Sequence, residues 1–395
     1  MQKIFKRSEN KSVRSKTSKL FIRRPLGSFF YLASIRYLMS LNLHPFPRFY
    51  TPPLGNTPKL PLTRNGVHKL PEKALETKPI SSFAELIIRT NSNGARSRGI
   101  CGLLPAICFL DGTVRPHEKT LLKRLQRQEK LVLEDKGALG KPVLLTVPSL
   151  KDWWAQSDIL HDYLGQPFNF KGNDNAYEVR RYTSNVLDLT GDTLPTLPLK
   201  LPASGPLCIA DGHHRAETHA RLGAAGVPGF EYVPVCVIGA DELTIGAFAR
   251  LIDDDRPMEE MLPSLTPFFE VELLNTPLAP SRPGEWLLLR NGSYYQLRRK
   301  GPSAPVDVEW LEHTVLPAVF DITDTRSDQR ITFEPVENTA EGLVDFTPSS
   351  KYTCLVGFPL PTSTFFAEIE AGRILPPKST RFEPRVPSGL VVWKP

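Results

Sequence analysis

The stretch Leu207-Cys208-Ile209-Ala210-Asp211-Gly212-His213-His214-Arg215-Ala216-Glu217-Thr218 forces a strand to end and a helix to begin within a few residues. Leu207 to Ala210 is a short apolar run bounded by turn residues, the pattern of a buried strand. From Ala216 to Leu222 the composition favours a helix, with Gly223 or Gly226 as its stop. Asp211 to Arg215 packs a carboxylate, a flexible backbone, two imidazoles and a guanidinium into the turn between them. Ligands gather at such strand-to-helix junctions. A new helix N-terminus also presents free N–H groups to phosphate or carboxylate. Gly212 lets the backbone approach an anion closely, and Arg215 can grip two of its oxygens. The competing reading is a plain helix cap, with Asp211 as the cap and the imidazoles solvated.

The flanking segments predict an α+β chain. Ala84–Thr90 reads as a strand, Asn91–Gly94 as a turn and Arg98–Phe109 as the returning strand. Thr120–Glu134 and Lys151–Leu164 read as helices, and Val143–Val147, Tyr177–Leu189 and Tyr232–Ile238 as strands. Prolines 195, 198, 202 and 206 stiffen the connector ahead of Leu207. Further on, Asn291-Gly292 between Trp286–Arg290 and Tyr294–Leu297 is a hairpin signal. Trp310–Phe320 reads as a helix broken near Pro317, Tyr352–Val356 as a strand, and Thr364–Ala371 as a helix closed by Gly372. These patterns divide the chain into a basic leader (1–40), a Pro-rich segment (41–83), a core (84–252) and a C-terminal α+β region (253–395).

The net charge of +7 is unevenly distributed. Residues 1–71 hold fourteen Lys/Arg against one acid, Glu9, whereas the remainder holds 35 Lys/Arg against 41 Asp/Glu. The folded body is therefore mildly acidic, which argues against nucleic acid as its partner. The Arg/Ser-rich leader has the composition of an organelle transit peptide, a basic tail, or sequence upstream of a true start at Met39. Cytoplasm is the expected compartment, or an organelle matrix if the leader is a transit peptide. The apolar stretch Phe29–Leu43 contains Arg36 and is too short for a bilayer, so no membrane partner is expected. The five cysteines show no Cys-x-x-Cys spacing and read as buried thiols.

Two further clusters carry polar chemistry. In Val114-Arg115-Pro116-His117-Glu118-Lys119-Thr120, Glu118 can serve as a general base for a hydroxyl and Lys119 as a phosphate ligand. The alternative is an ordinary capped helix start. In Leu375-Pro376-Pro377-Lys378-Ser379-Thr380-Arg381-Phe382, prolines stiffen a loop that either closes over an anion or lies on the surface. A metal set from Asp211, His213, His214 and His219 with Glu118 requires an irregular turn, so no resident metal is expected.

Cys208–Arg215, His117–Thr120 and Leu375–Thr380 with Ser388-Gly389-Leu390 together resemble the domain of unknown function 1015 family over roughly residues 80–395. Ala216 stands where that family usually has an aromatic residue. The central motif is similar to that of the ParB/sulfiredoxin-like superfamily, which includes nucleotide-binding partition proteins and an ADP-dependent free serine kinase. The resemblance implies a ParB/sulfiredoxin-like mixed α/β core with an additional C-terminal α+β region. It implies a nucleotide-dependent phosphotransferase acting on a small hydroxyl compound such as serine. The implied cofactors are ADP or ATP, with magnesium carried by the nucleotide. Glu118, Asp211 and His213 would be catalytic. His117, Lys119, Gly212, His214, Arg215, Lys378, Ser379 and Thr380 would bind the cofactor. A non-catalytic nucleotide-binding switch and a metal-dependent phosphohydrolase are the alternatives, and the oligomeric state stays open.

Overall fold

Strands with apolar residues on both faces must be covered on both sides. The strands Phe83–Thr90 (β1), Arg96–Pro105 (β2), Val114–Arg115 (β3), Val143–Val147 (β4), Phe168–Lys171 (β5), Asn175–Tyr182 (β6), Leu207–Asp211 (β7) and Tyr232–Gly239 (β8) form one such sheet. Their order is β3-β7-β4-β8-β2-β1-β6-β5, with β3/β7 and β4/β8 parallel and the other pairs antiparallel. A computed structural model describes residues 41–50, 67–68, 81–120, 122–135, 138–156, 166–172, 174–183, 197–202, 205–336, 343 and 351–393. The leader lies outside the described residues, and residues 40–395 form one unit. The chain is α+β.

Side chains alternate along the strands. Val143, Leu145, Val233, Val235 and Val237 point to one face, which the helix His213–Ala224 covers through Ala216. Leu144, Cys208, Cys236 and Ile238 point to the other, which Phe365 and Ile369 of the helix Thr362–Glu370 cover. All five cysteines are buried and unpaired.

A short 3-10 turn, Ala240–Glu242, leads from β8 into Thr244–Asp253 (β9) of a second sheet. That sheet runs Phe269–Leu274 (β10), Ser293–Arg299 (β12), Glu285–Arg290 (β11), Tyr352–Gly357 (β14), β9 and Ile331–Val336 (β13) across its width, and Arg381–Glu383 (β15) also pairs with β9. The helix Met258–Leu265 and the helical run 307–320 pack on one face around Trp286. The β11–β12 turn has Asn291 and Gly292 both at positive φ, 49° and 75°, as a type I′ hairpin needs.

Several expected boundaries differ. Helix 307–320 is not broken at Pro317: a π-helical turn, Leu311–Val315, precedes it and absorbs the missing N–H. The strand expected over Arg98–Phe109 stops at Pro105 and gives way to a 3-10 turn. The central helix starts at His213 rather than Ala216, because Gly212 at φ 104° turns the chain from strand to helix in one residue. The helix expected over 151–164 is described as Lys151–Gln156, and its remainder lies outside the described residues, as do 184–189 of the strand expected from Tyr177.

Glu85 is fully buried on β1, where the Arg98 guanidinium and the Tyr182 hydroxyl both donate to it. Arg98 also stacks on Trp154, 3.6 Å from its ring centroid. Removing the cation strands a buried carboxylate, so Arg98→Met should lower unfolding free energy by about 3 kcal/mol in urea titrations. Adding Glu85→Leu should recover part of that loss, whereas a fully additive double variant would contradict the pairing.

Candidate functional site

The β7 strand is irregular where it matters. Ile209 pairs with Leu145, but Asp211 pairs with Leu144, so the register slips at Ala210. Such a bulge re-aims the next side chain. Here it is Asp211, whose Oδ2 accepts from Lys141 Nζ at 3.1 Å and from Arg215 Nη2 at 3.0 Å. Burial alone would raise the Asp211 carboxyl, but Arg215 and Lys141 hold it far below the usual range. Burial pulls Lys141 down and the neighbouring Arg215 lowers it further, while Asp211 opposes the fall. Arg215 also donates to the Pro142 carbonyl at 3.4 Å. Asp211 does not cap the helix: Gly212 is the N-cap, with no side-chain cap bond. A Cβ on Gly212 would lie 2.5 Å from Arg215 Nη2. The ladder of the helix opens with the Ala216 N–H on the Gly212 carbonyl at 2.9 Å, so the preceding amides belong to the free positive end.

His117 is buried and both its ring nitrogens are engaged. Nδ1 faces the Ile209 carbonyl at 2.7 Å and must carry the proton, because a carbonyl only accepts. Nε2 then accepts the Thr380 hydroxyl at 2.8 Å. Burial lowers His117 to about 4, so it stays neutral. Its main-chain carbonyl accepts from Leu375 N–H at 2.8 Å, and its own N–H donates to His213 Nε2 at 3.4 Å. His213, packed edge-on 4.3 Å from His117, is pushed down by burial and by that neighbour. Ser379 donates to the Pro376 carbonyl at 2.7 Å. His117, Ser379 and Thr380 are thus buried braces that fix the C-terminal loop against the core.

The loop they hold brings Lys378, at φ 58°, over Glu118: the Lys378 N–H donates to Glu118 Oε1 at 3.2 Å. Burial raises Glu118, and Lys378 and Arg326 oppose the rise. Glu118, Lys119, Asp211, Gly212, His213, His214, Arg215 and Lys378 all line one cleft of about 1090 Å³. This is just above the roughly 300–1,000 Å³ of ligand clefts. The sequence reading did not find Lys141, Arg124, Arg127 and Arg326, which share the cleft. The local signal for Lys141 was only a Gly140-Lys141-Pro142 turn before a buried strand. A smaller hollow of about 400 Å³ against Arg89, Phe170 and Tyr177 holds none of the three motifs.

Among the described residues, His117, Glu118 and His213 are the one group whose ligating atoms lie within 4.8 Å of one another. The Nε2 lone pair of His117 is taken by Thr380, so the set does not suit a metal as it stands. The cleft suits an anion instead. Asp211 is already shared by two cations, Lys141 and Arg215. Among the described residues, no helix is long and apolar enough to cross a membrane.

A family model described as "Protein of unknown function (DUF1015)" matches residues 71–319. No curated protein matches the chain. Among solved structures, the chain is similar to C-terminally truncated SbnI from Staphylococcus aureus (TM-score 0.40, 14% identity, 72% of this chain and 84% of that one). It is also similar to a free serine kinase in complex with AMP (TM-score 0.36, 14% identity, 71% and 86%). A variant of free serine kinase in complex with ADP gives a TM-score of 0.38 at 13% identity, over 71% and 87%.

Two outcomes follow from this geometry. Burial lowers His117 and His219 from 6.5 to about 4, and His213 also lies well below 6.5. Unfolding therefore takes up protons between those limits. Stability should be full above pH 6.5 and fall as the pH drops toward 4. Each imidazole contributes a slope of up to about 1.4 kcal/mol per pH unit. Urea midpoints at pH 7 and pH 5 check it, and equal midpoints would contradict the burial. Gly212→Ala should cost about 1–2 kcal/mol and displace the Arg215 guanidinium, readable as a lower Tm.

Proposed function

The chain belongs to the DUF1015 family, and from that premise we propose that it is a nucleotide-dependent phosphotransferase acting on a small hydroxyl compound. One observation carries this reading: Glu118 and Lys378, from segments 260 residues apart, line the same cleft as Asp211, Arg215 and the free helix end. Lys141, Arg215 and the first amides of the helix His213–Ala224 receive the phosphates of ADP or ATP. Asp211 keeps the two cations side by side and aimed at one point. Magnesium, carried on the phosphates, would screen their charge.

Glu118 is the base. Its raised affinity for protons suits a group that must take one from a hydroxyl. The hydroxyl oxygen attacks the terminal phosphorus as the bond to the leaving phosphate oxygen breaks, and the proton passes to Glu118. Lys378, with Arg215, offsets charge on the transferred group. His213 and His117 stay neutral and fix positions rather than carry charge. Serine is the first acceptor to try.

Titration calorimetry with ADP and ATP, followed by phosphorylation of serine and other small alcohols, tests the reading. Arg215→Ala should weaken nucleotide binding by about tenfold or more. Glu118→Gln should keep binding but lower turnover by about a hundredfold or more. Binding with no turnover in the unmodified protein would favour a nucleotide-sensing switch, which needs the same anion half and no base. No binding at millimolar nucleotide would end both.

A further inference from the structure

The cleft reverses the charge balance of the body around it. Beyond residue 71 the chain holds 41 Asp/Glu against 35 Lys/Arg. In the cleft lining, Lys and Arg outnumber the carboxylates, which are Glu118, Asp211 and Asp328. Each of these acids is already engaged. Asp211 is shared by Lys141 and Arg215. Asp328 accepts from Arg330 Nε at 3.1 Å and from Arg330 Nη2 at 2.7 Å. Glu118 accepts from the Lys378 N–H and is the base of the proposed transfer. Among the lining residues, no carboxylate is left to receive a ligand's ammonium group.

Several cations, by contrast, are free. Arg326 sits in the turn ahead of β13, and its main chain is well held. Its N–H donates to Asp324 Oδ1 at 3.0 Å, and the neighbouring Thr325 hydroxyl donates to Glu312 at 2.5 Å. Its side chain is exposed to the cleft and makes no hydrogen bond or ion pair among the described residues. Arg330, four residues on, shows the contrast. Besides Asp328, its guanidinium meets the Phe320 and Asp321 carbonyls at 3.1 and 2.8 Å. The Arg326 guanidinium also lies within electrostatic reach of Glu118, where the acceptor hydroxyl would stand. Lys119, Arg124 and Arg127 are likewise exposed and unpartnered among the described residues, and add to the same positive field.

We infer that the acceptor is an alcohol that carries an oxyanion, carboxylate or phosphate, and no ammonium group, and that Arg326 holds this oxyanion while the hydroxyl faces Glu118. A guanidinium suits either oxyanion, because its fork donates two parallel hydrogen bonds. A zwitterion such as serine brings its ammonium group into a positive field with no free acid to meet it, so the cleft discriminates against it. The inference rests on the phosphotransferase reading above and narrows its acceptor.

Glycerate tests the point directly, since it is serine with the ammonium group replaced by a hydroxyl. Glycerol 3-phosphate carries the phosphate form of the oxyanion, and glycerol carries none. Calorimetry on the full chain is done at saturating ADP, with EDTA present so that no transfer consumes the ligands. ADP fills the phosphate half, so a further anion must bind elsewhere in the cleft. Glycerate or glycerol 3-phosphate should bind tighter than both serine and glycerol by about tenfold or more, and the tighter of the two identifies the oxyanion. Arg326→Gln should weaken that ligand by about tenfold and leave ADP affinity and Tm unchanged, because the side chain supports nothing in the fold. Arg326→Lys, which keeps the charge, should recover part of the loss. Serine binding as tightly as both anions, with ADP bound, would overturn the inference and leave the phosphotransferase reading standing. Loss of ADP affinity in Arg326→Gln would assign the residue to the nucleotide and overturn it too. Failure of ADP itself to bind would instead strike the nucleotide reading.

Discussion

The buried imidazole of His117 joins segments that lie far apart along the chain. Its ring bridges the Ile209 carbonyl on β7 and the Thr380 hydroxyl in the C-terminal loop, while its main chain meets Leu375 and His213. Only the neutral ring fits, because one nitrogen must donate to a carbonyl and the other must accept from a hydroxyl. Burial supplies that neutrality by penalising the charged form. Lys378 reaches Glu118 through this joint, since the loop has its other anchors at Gly389 on Gly140 and at β15 on β9. A protonated His117 would lose the Thr380 acceptor and loosen the same loop.

Charge in the cleft is organised by a second, smaller device. One Asp211 oxygen holds both Lys141 and Arg215, so two cations that would repel one another stand together. The bulge at Ala210 and the left-handed Gly212 make this possible, the first by turning Asp211 toward the cleft and the second by leaving room for the guanidinium. The strand edge, the helix start and the ion cluster are thus one local solution. The turn ahead of β13 adds Arg326 to the same cleft, so the C-terminal half shapes the site instead of merely following it.

Much of the local fold was legible. Val143–Val147 and Tyr232–Ile238 read as buried strands because apolar residues run through them without a polar face, and the second runs one residue further, to Gly239. Asn291-Gly292 marked its hairpin because few residues accept two positive φ values in succession. The central helix starts three residues before the point its composition suggests, since two histidines carry little helix propensity and the turning power of Gly212 does not show in composition. Pro317 reads as a break in isolation, although a widened turn just before it supplies what the ring lacks.

The sequence by itself determined which segments form strands and which form helices, which side chains are chemically able to handle protons and phosphates, and that the folded body is not basic. Those properties are local: they depend on side-chain type and on neighbours within a few positions. Only the tertiary structure decided which of those residues share a cleft. It made His117, Ser379 and Thr380 buried braces and put Lys141 and Arg326 beside Asp211 and Glu118. The reason is physical. Burial and hydrogen-bond partners set the charge and availability of a polar atom, and many of those partners come from segments far along the chain, as Thr380 does for His117.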